Sequence, residues 1–96
     1  MPNIKTLNRN GQITIPKHIL RELNFKEGYF VSVYKENQII VIDQQVNDTF
    51  NQCVFRNGKV SIPAELRHIL KINTNTPLQL DVSPEKQKIF IKRMVN

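Results

Sequence analysis

The stretch that decides the fold is Arg9-Asn10-Gly11-Gln12-Ile13-Thr14-Ile15-Pro16. It returns as Arg56-Asn57-Gly58-Lys59-Val60-Ser61-Ile62-Pro63, at a constant offset of 47 residues. The copies slip by two residues only near their ends, where Ile40-Val41-Ile42 matches Ile89-Phe90-Ile91. A turn of different length in the two copies explains a slip of this kind. The chain is therefore predicted to consist of two copies of one small unit.

Size limits what each copy can be on its own. A unit of fewer than 50 residues rarely buries enough apolar surface to fold without a disulfide or a metal, and Cys53 is the single cysteine. Two copies together can build one core, and 40% hydrophobic residues is an ordinary globular composition. We therefore predict one domain over residues 1–96 with pseudo-two-fold symmetry, made of one internal repeat at 1–47 and a second at 48–96.

The charge balance indicates the kind of partner. Fourteen Lys and Arg against eight Asp and Glu give a formal net charge of +6 at pH 7, and nucleic acid is the commonest large acidic partner in the cytosol. A lone cysteine suits a reducing compartment. The sequence has no leader-like start and no apolar run of about 20 residues. We expect a cytoplasmic, nucleoid-associated protein that does not contact membranes.

Turn residues predict the strands of each copy. Asn10-Gly11 readily supplies the two positive φ angles of a type I′ turn, so 4–9 and 12–15 are predicted to pair as a first hairpin. A second hairpin is predicted further along each copy. Its strands are predicted at 30–35 and 38–43 in the first copy, and at 77–82 and 88–92 in the second.

Proline predicts the helices. Proline lacks a backbone N–H, but the N–H groups of a first helical turn form no intrahelical hydrogen bond. Pro16 and Pro63 are therefore each predicted to open a helix of about two turns. Apolar residues then recur on one face. The predicted inward residues are Ile19, Leu20 and Leu23 in the first helix and Leu66, Ile69 and Leu70 in the second. The total is eight short strands and two helices.

The ordered combination of turn glycine, alternating strand, Ile-Pro and helix closely resembles the AbrB/MazE/SpoVT family of bacterial and archaeal DNA-binding proteins. The resemblance rests on residues 11–17 with Leu23 and Lys26-Glu27-Gly28 behind them, and again on 58–72. It implies a mostly β fold with two short helices, namely a swapped-hairpin, double-psi-like β-barrel in which two copies exchange hairpins. Family members are normally homodimers, but here both copies lie on one chain, as in the two-repeat MraZ branch. A further homodimer of whole chains would extend the DNA footprint.

The resemblance also implies which residues bind double-stranded DNA. Basic side chains around the first hairpin, its turn and the short helix carry this role in the family. Matched position by position, these residues are Lys5, Arg9 and Arg21 in the first copy and Arg56, Lys59 and Arg67 in the second. The first copy has Gln12 where the second has Lys59, and Leu20 where it has Arg67, so the second copy is the closer match.

Three functions are weighed on this basis. The favoured one is an AbrB-like transcriptional regulator; a MazE-like antitoxin that autoregulates its operon and binds a toxin is the alternative. A toxin partner is less favoured because such antitoxins carry a disordered, often acidic tail, whereas this sequence ends four residues after Lys92. The third is a structural adaptor that does not bind DNA. An enzyme is not expected, since we find no phosphate-binding glycine loop, no paired carboxylates and no cofactor or zinc-site spacing.

Overall fold

The structure, a computed structural model, describes residues 3–94. Within that range it contains eight strands and two helices, as the sequence predicts. In chain order they are β1 Asn3–Lys5, β2 Gln12–Thr14, α1 Lys17–Leu23, β3 Phe30–Glu36, β4 Ile39–Asp43, β5 Asn51–Val54, β6 Lys59–Ser61, α2 Ala64–Ile69, β7 Leu78–Ser83 and β8 Lys88–Arg93.

The strands form an open antiparallel sheet and a separate ribbon. The sheet has the order β1-β7-β8-β4-β3-β5, and β2 pairs with β6 alone. The prediction of a closed barrel is therefore wrong. β1 ends at Lys5 and β5 ends at Val54, and neither continues into the ribbon strands β2 and β6, so the sheet and the ribbon remain separate. Leu7 and Phe55, in the connections that follow, are buried in the core.

Most strand pairing joins one half of the chain to the other. Four of the six pairings are of this kind, namely β1 with β7, β2 with β6, β3 with β5 and β4 with β8. The two central pairings are symmetric, since Ile13 faces Val60 in the ribbon and Val41 faces Phe90 in the sheet. One hydrophobic cluster takes side chains from both halves. Each half thus finds most of its strand partners in the other.

The predicted pairing of 4–9 with 12–15 does not extend beyond the turn, because β1 pairs with β7 and β2 pairs with β6, both in the other half. The two motif turns also differ. Arg56 and Lys59 exchange both backbone hydrogen bonds, at 3.1 and 3.0 Å, and Asn57 and Gly58 between them both have positive φ. This is the predicted two-residue type I′ geometry.

In the first copy the loop is one residue longer. It comprises Arg9, Asn10 and Gly11 and is closed by Asn8 and Gln12, and only Gly11 has positive φ. Such a three-residue hairpin loop is a common alternative to the type I′ turn. The type I′ prediction for the first copy is therefore wrong.

The longer loop shifts the strand before it by one residue. Leu7 occupies the buried place that Phe55 has in the second copy, and Lys5 faces Leu78 as Cys53 faces Val31. On the N-terminal side of the turns, the residues that occupy equivalent positions in the two copies are therefore shifted by one residue from those that the sequence repeat aligns. Asn8, rather than Arg9, is the spatial counterpart of Arg56.

The helices follow the proline signals. α1 begins directly after Pro16 and buries Ile19 and Leu23, and α2 begins directly after Pro63. Leu66 and Leu70 are buried as predicted, but Ile69 is 51% exposed. Ile69 takes the place of Glu22 on the outer face of α1, so the prediction that it faces inward is wrong. No helix in 3–94 combines the length and apolar character needed to cross a membrane.

Candidate nucleic-acid interface

The β2–β6 ribbon presents a polar face to solvent. Ile13 and Val60 lie opposite each other and are fully buried, so the alternate residues of both strands point away from the core. Gln12 pairs with Ser61 there, and Thr14 pairs with Lys59. The two turns lie at opposite ends of the ribbon, because Gly11 O accepts from Ile62 N and Gly58 O accepts from Ile15 N, both at 2.9 Å.

Two cations face each other at one end of the ribbon. Arg56 and Lys59 are a directly opposed, hydrogen-bonded pair on antiparallel strands, which places their side chains on the same face. Like charges in this arrangement destabilise the fold. The one ion pair found within residues 3–94 is Lys88 with Asp43, at 3.7 Å, so neither Arg56 nor Lys59 has a carboxylate oxygen within ion-pair distance there. An anionic ligand would relieve the repulsion.

Glu27 holds the turn beside that pair. Its carboxylate accepts hydrogen bonds from the backbone N–H groups of Asn57 and Gly58, at 2.8 and 2.9 Å. The loop after α1 of the first copy therefore fixes the turn of the second copy. Sequence reasoning noted Glu27 only within the family-like Lys-Glu-Gly segment. Its role depends on a contact across 30 positions, which no local pattern indicates.

Arg67 belongs in space to the first turn, although it belongs in sequence to the second copy. Its Nε donates to the carbonyl of Ile62 at 2.9 Å, and its guanidinium lies directly against Gly11. Arg67 therefore sits beside the loop that carries Arg9. Its sequence counterpart, Leu20, is partly buried and packs against the core instead.

The six predicted DNA-binding residues fall into three places. Arg9 and Arg67 lie at one end of the ribbon, and Arg56 and Lys59 lie at the other. The ends are about 14 Å apart if the four residue-to-residue steps from Gly11 to Ile15 are extended. The remaining two lie outside the ribbon: Arg21 is exposed on α1, and Lys5 is half-buried on the edge strand β1.

A pair of glycine substitutions tests the contact of Arg67 with the first turn. Gly11 and Gly58 both have positive φ, so alanine at either position should cost about 1–2 kcal/mol of backbone strain. A methyl group on Gly11 would also lie 2.7 Å from Arg67 Cζ, whereas one on Gly58 meets nothing within 4 Å. We expect Gly11→Ala to lower the free energy of unfolding by about 0.5–1.5 kcal/mol more than Gly58→Ala, because only there must the Arg67 guanidinium move aside and give up its hydrogen bond to Ile62 O.

Urea denaturation of both variants measures this difference. In the Gly11→Ala background, Arg67→Ala should recover the excess, since it removes the clashing group. Equal losses for the two glycine variants would contradict the packing of Arg67 on Gly11.

The thiol of Cys53 and the potential metal ligands are the other groups considered. Cys53 is half-buried, and burial raises the pKa of its thiol, which keeps it protonated at neutral pH. Within the described part of the chain, no three His, Cys, Asp or Glu side chains lie close enough together to bind a metal ion. The chemistry that the described surface offers is therefore hydrogen bonding and positive charge.

Comparison with protein-family models gives a match over the first part of the chain. Residues 4–47 match the model of the MazE family, described as antidote-toxin recognition by a bacterial antitoxin. No curated protein and no solved structure gives a significant match. The matched segment includes Lys5, Arg9 and Arg21, and it covers slightly less than half of the chain. It supports the AbrB/MazE-like family on the evidence of the first half and suggests a DNA-binding regulator.

Proposed function

We propose that this protein binds double-stranded DNA as an AbrB-like transcriptional regulator and that the β2–β6 ribbon is the contact surface. The observation that carries the proposal is the opposed pair of Arg56 and Lys59. Two cations side by side on an exposed ribbon, with no carboxylate within ion-pair distance of either, reduce stability, and an anion bound there would offset their repulsion. The phosphate backbone of DNA is such an anion, and arginine and lysine are its usual partners.

The shape of the ribbon supports the same proposal. A two-stranded β-ribbon fits the major groove of B-DNA, which is about 12 Å wide. Cations at the two ends of a ribbon about 14 Å long can reach phosphates on both sides of that groove. The outward side chains between the ends are short or uncharged, so they can approach base edges. The ends would then position the protein and the middle would read bases.

The two copies would act together within one chain. We propose that they form an intrachain pseudo-dimer, with residues 1–47 and 48–96 supplying one end of the binding face each. Because Arg67 of the second copy lies beside Arg9 of the first, each end would also depend on the other copy. Pairing of two chains into a homodimer would double the number of such faces.

A salt titration tests DNA binding itself. The measurement is fluorescence anisotropy of a labelled random-sequence duplex at several salt concentrations. If four to six phosphates are neutralised, the plot of log affinity against log salt should have a slope of about −4 to −5. The neutralised phosphates release their condensed counterions, and the entropy gained from this release falls as the salt concentration rises. A slope near zero would contradict the proposal.

A MazE-like antitoxin is the second candidate, and the description of the matched family favours it. Tyr29 and Phe30 add a structural reason, since these adjacent aromatic residues are 64% and 53% exposed and could contact a protein. The test is coexpression with the product of a neighbouring toxin-sized reading frame. Stoichiometric copurification and relief of growth arrest would support the antitoxin function. Salt-sensitive DNA binding without copurification and without relief of growth arrest would favour a transcriptional regulator that has no toxin partner.

A further inference from the structure

Asn8 and Gln12 occupy, in the first copy, the places that Arg56 and Lys59 occupy in the second. Asn8 and Gln12 close the first motif loop as the two cations close the second. The ribbon therefore ends in a charged pair on one side and a neutral amide pair on the other. If the ribbon binds DNA as proposed above, its two ends must recognise DNA in different ways.

The hydrogen bonds of Asn8 fix the direction of its side chain. Its Oδ1 accepts from the backbone N–H groups of Asn10 and Gln12, both at 2.9 Å. Only the carbonyl oxygen of an amide can accept these bonds, so Nδ2 must point the other way. Nδ2 donates to Oε1 of Gln12 at 2.9 Å. The backbone of the loop thus dictates which atom of Gln12 faces Asn8.

The same chain of bonds determines what Gln12 offers to a ligand. With Oε1 held by Asn8, the free end of the side chain is the Nε2 amide, which has two N–H donors. Within residues 3–94 the structure provides no acceptor for these donors. Gln12 is half-buried on the outward face of the ribbon, so its position is constrained. The network makes Gln12 an oriented donor.

We propose that Gln12 is a specificity-determining residue that reads guanine in the half of the site bound by the first copy. Guanine presents two acceptors, O6 and N7, in the major groove, which matches the two N–H groups of Nε2. The usual two-bond contact of glutamine with adenine needs both Oε1 and Nε2 directed at the base. Oε1 keeps a second lone pair, but its bond to Asn8 holds it toward residue 8, so Nε2 is the end left for the base. Lys59, the counterpart, carries a mobile charge suited to phosphate. The preferred DNA site would therefore be asymmetric, although the protein repeat is nearly symmetric.

Reversing the polarity of the network tests this inference. In Asn8→Asp, the new carboxylate can still accept the two backbone N–H groups, but its second oxygen cannot donate to Gln12. Gln12 must then turn its Nε2 toward residue 8 and present Oε1 outward. The preference at one position should change from guanine to a base with an outward N–H group, cytosine or adenine. Asn10→Asp is the matched control, because it adds the same charge two residues away and leaves Gln12 in place.

The experiment selects bound sequences from duplexes with a randomised segment of about two helical turns, using the wild type and each variant. The wild type should favour guanine at one position by roughly 5- to 150-fold, and Gln12→Ala should abolish that preference alone. Circular dichroism checks folding, and Gln12→Glu, which offers only acceptors, replaces Asn8→Asp if that variant unfolds. The inference is overturned if the wild type selects bases that the Gln12 and Asn8 variants leave unchanged. Failure of the wild type to bind any duplex would instead overturn the proposed function and, with it, this inference.

Discussion

Residues 1–47 expressed alone should be unfolded, or folded only as a dimer of the fragment. Four of the six strand pairings join the two halves, and β1, β2, β3 and β4 each have at least one partner strand beyond residue 47. A monomeric fragment would expose the edges of these strands together with half of the shared core. The fragment contains no cysteine, so no disulfide can compensate for the lost core.

Circular dichroism and sedimentation measure this outcome, and the full chain is the control. Mixing the fragment with residues 48–96 should restore a folded 1:1 complex, since each fragment supplies what the other lacks. The covalent link in the full chain holds the halves at high effective concentration, so the full chain should be the more stable species. A stable, folded monomer of residues 1–47 would contradict an intrachain pseudo-dimer.

Phe55→Ala should produce the largest loss of stability of any single substitution considered. Phe55 is 2% exposed and makes an edge-to-face contact with Phe25, with the ring centroids 5.3 Å apart. Truncating a buried phenylalanine costs about 3–5 kcal/mol, because transfer energy is lost and a cavity remains. That is a large share of the roughly 5–15 kcal/mol that stabilises a typical domain. Urea denaturation of the full chain measures the loss.

Phe30→Ala is the matched control for this substitution. Phe30 is 53% exposed, so the same truncation removes much less buried surface and should cost less than about 1.5 kcal/mol. Similar losses for the two variants would contradict the burial of Phe55 in the core and its packing against Phe25.

The local elements of the fold could be predicted from the sequence, because their signals are local. Pro16 and Pro63 mark both helix starts, and alternating apolar residues mark the strands of the second hairpins. Ile69 is the exception, since its position in the short α2 turns it outward. Apolar character alone did not distinguish it from Leu66.

Strand partners could not be predicted with the same success. The Asn-Gly dipeptide occurs twice, yet it forms a two-residue turn in one copy and part of a three-residue loop in the other. The difference comes from the residues just before it. Asn8 bonds to the loop backbone through its side chain, whereas Phe55 is drawn into the core. This one-residue change moves Arg9 out of spatial register with Arg56, although the two match in sequence.

The candidate site was predictable in composition but not in arrangement. A repeat indicated which cations to consider, and the fold groups them by ribbon end rather than by copy. Arg67 joins Arg9, and Glu27 supports the turn of the opposite copy. Both contacts cross between the repeats, so only the tertiary structure reveals them. Asn8 was not among the predicted site residues, because its hydrogen bond to Gln12 depends on the loop that closes between them.

If the ribbon binds DNA through Arg56 and Lys59, removing both charges should change the salt dependence of binding. The most direct test compares the salt dependence of DNA affinity for Arg56→Ala/Lys59→Ala with that of Lys86→Ala/Lys92→Ala, by anisotropy on one duplex. Both double variants remove two exposed or half-exposed charges, but Lys86 and Lys92 lie outside the ribbon. We predict that the ribbon variant binds about 10- to 100-fold more weakly and that its log–log slope falls by about 2 in magnitude, one unit for each lost phosphate contact. The sheet variant should keep nearly the wild-type affinity and slope. Equal losses in the two variants, or an unchanged slope in the ribbon variant, would contradict the account.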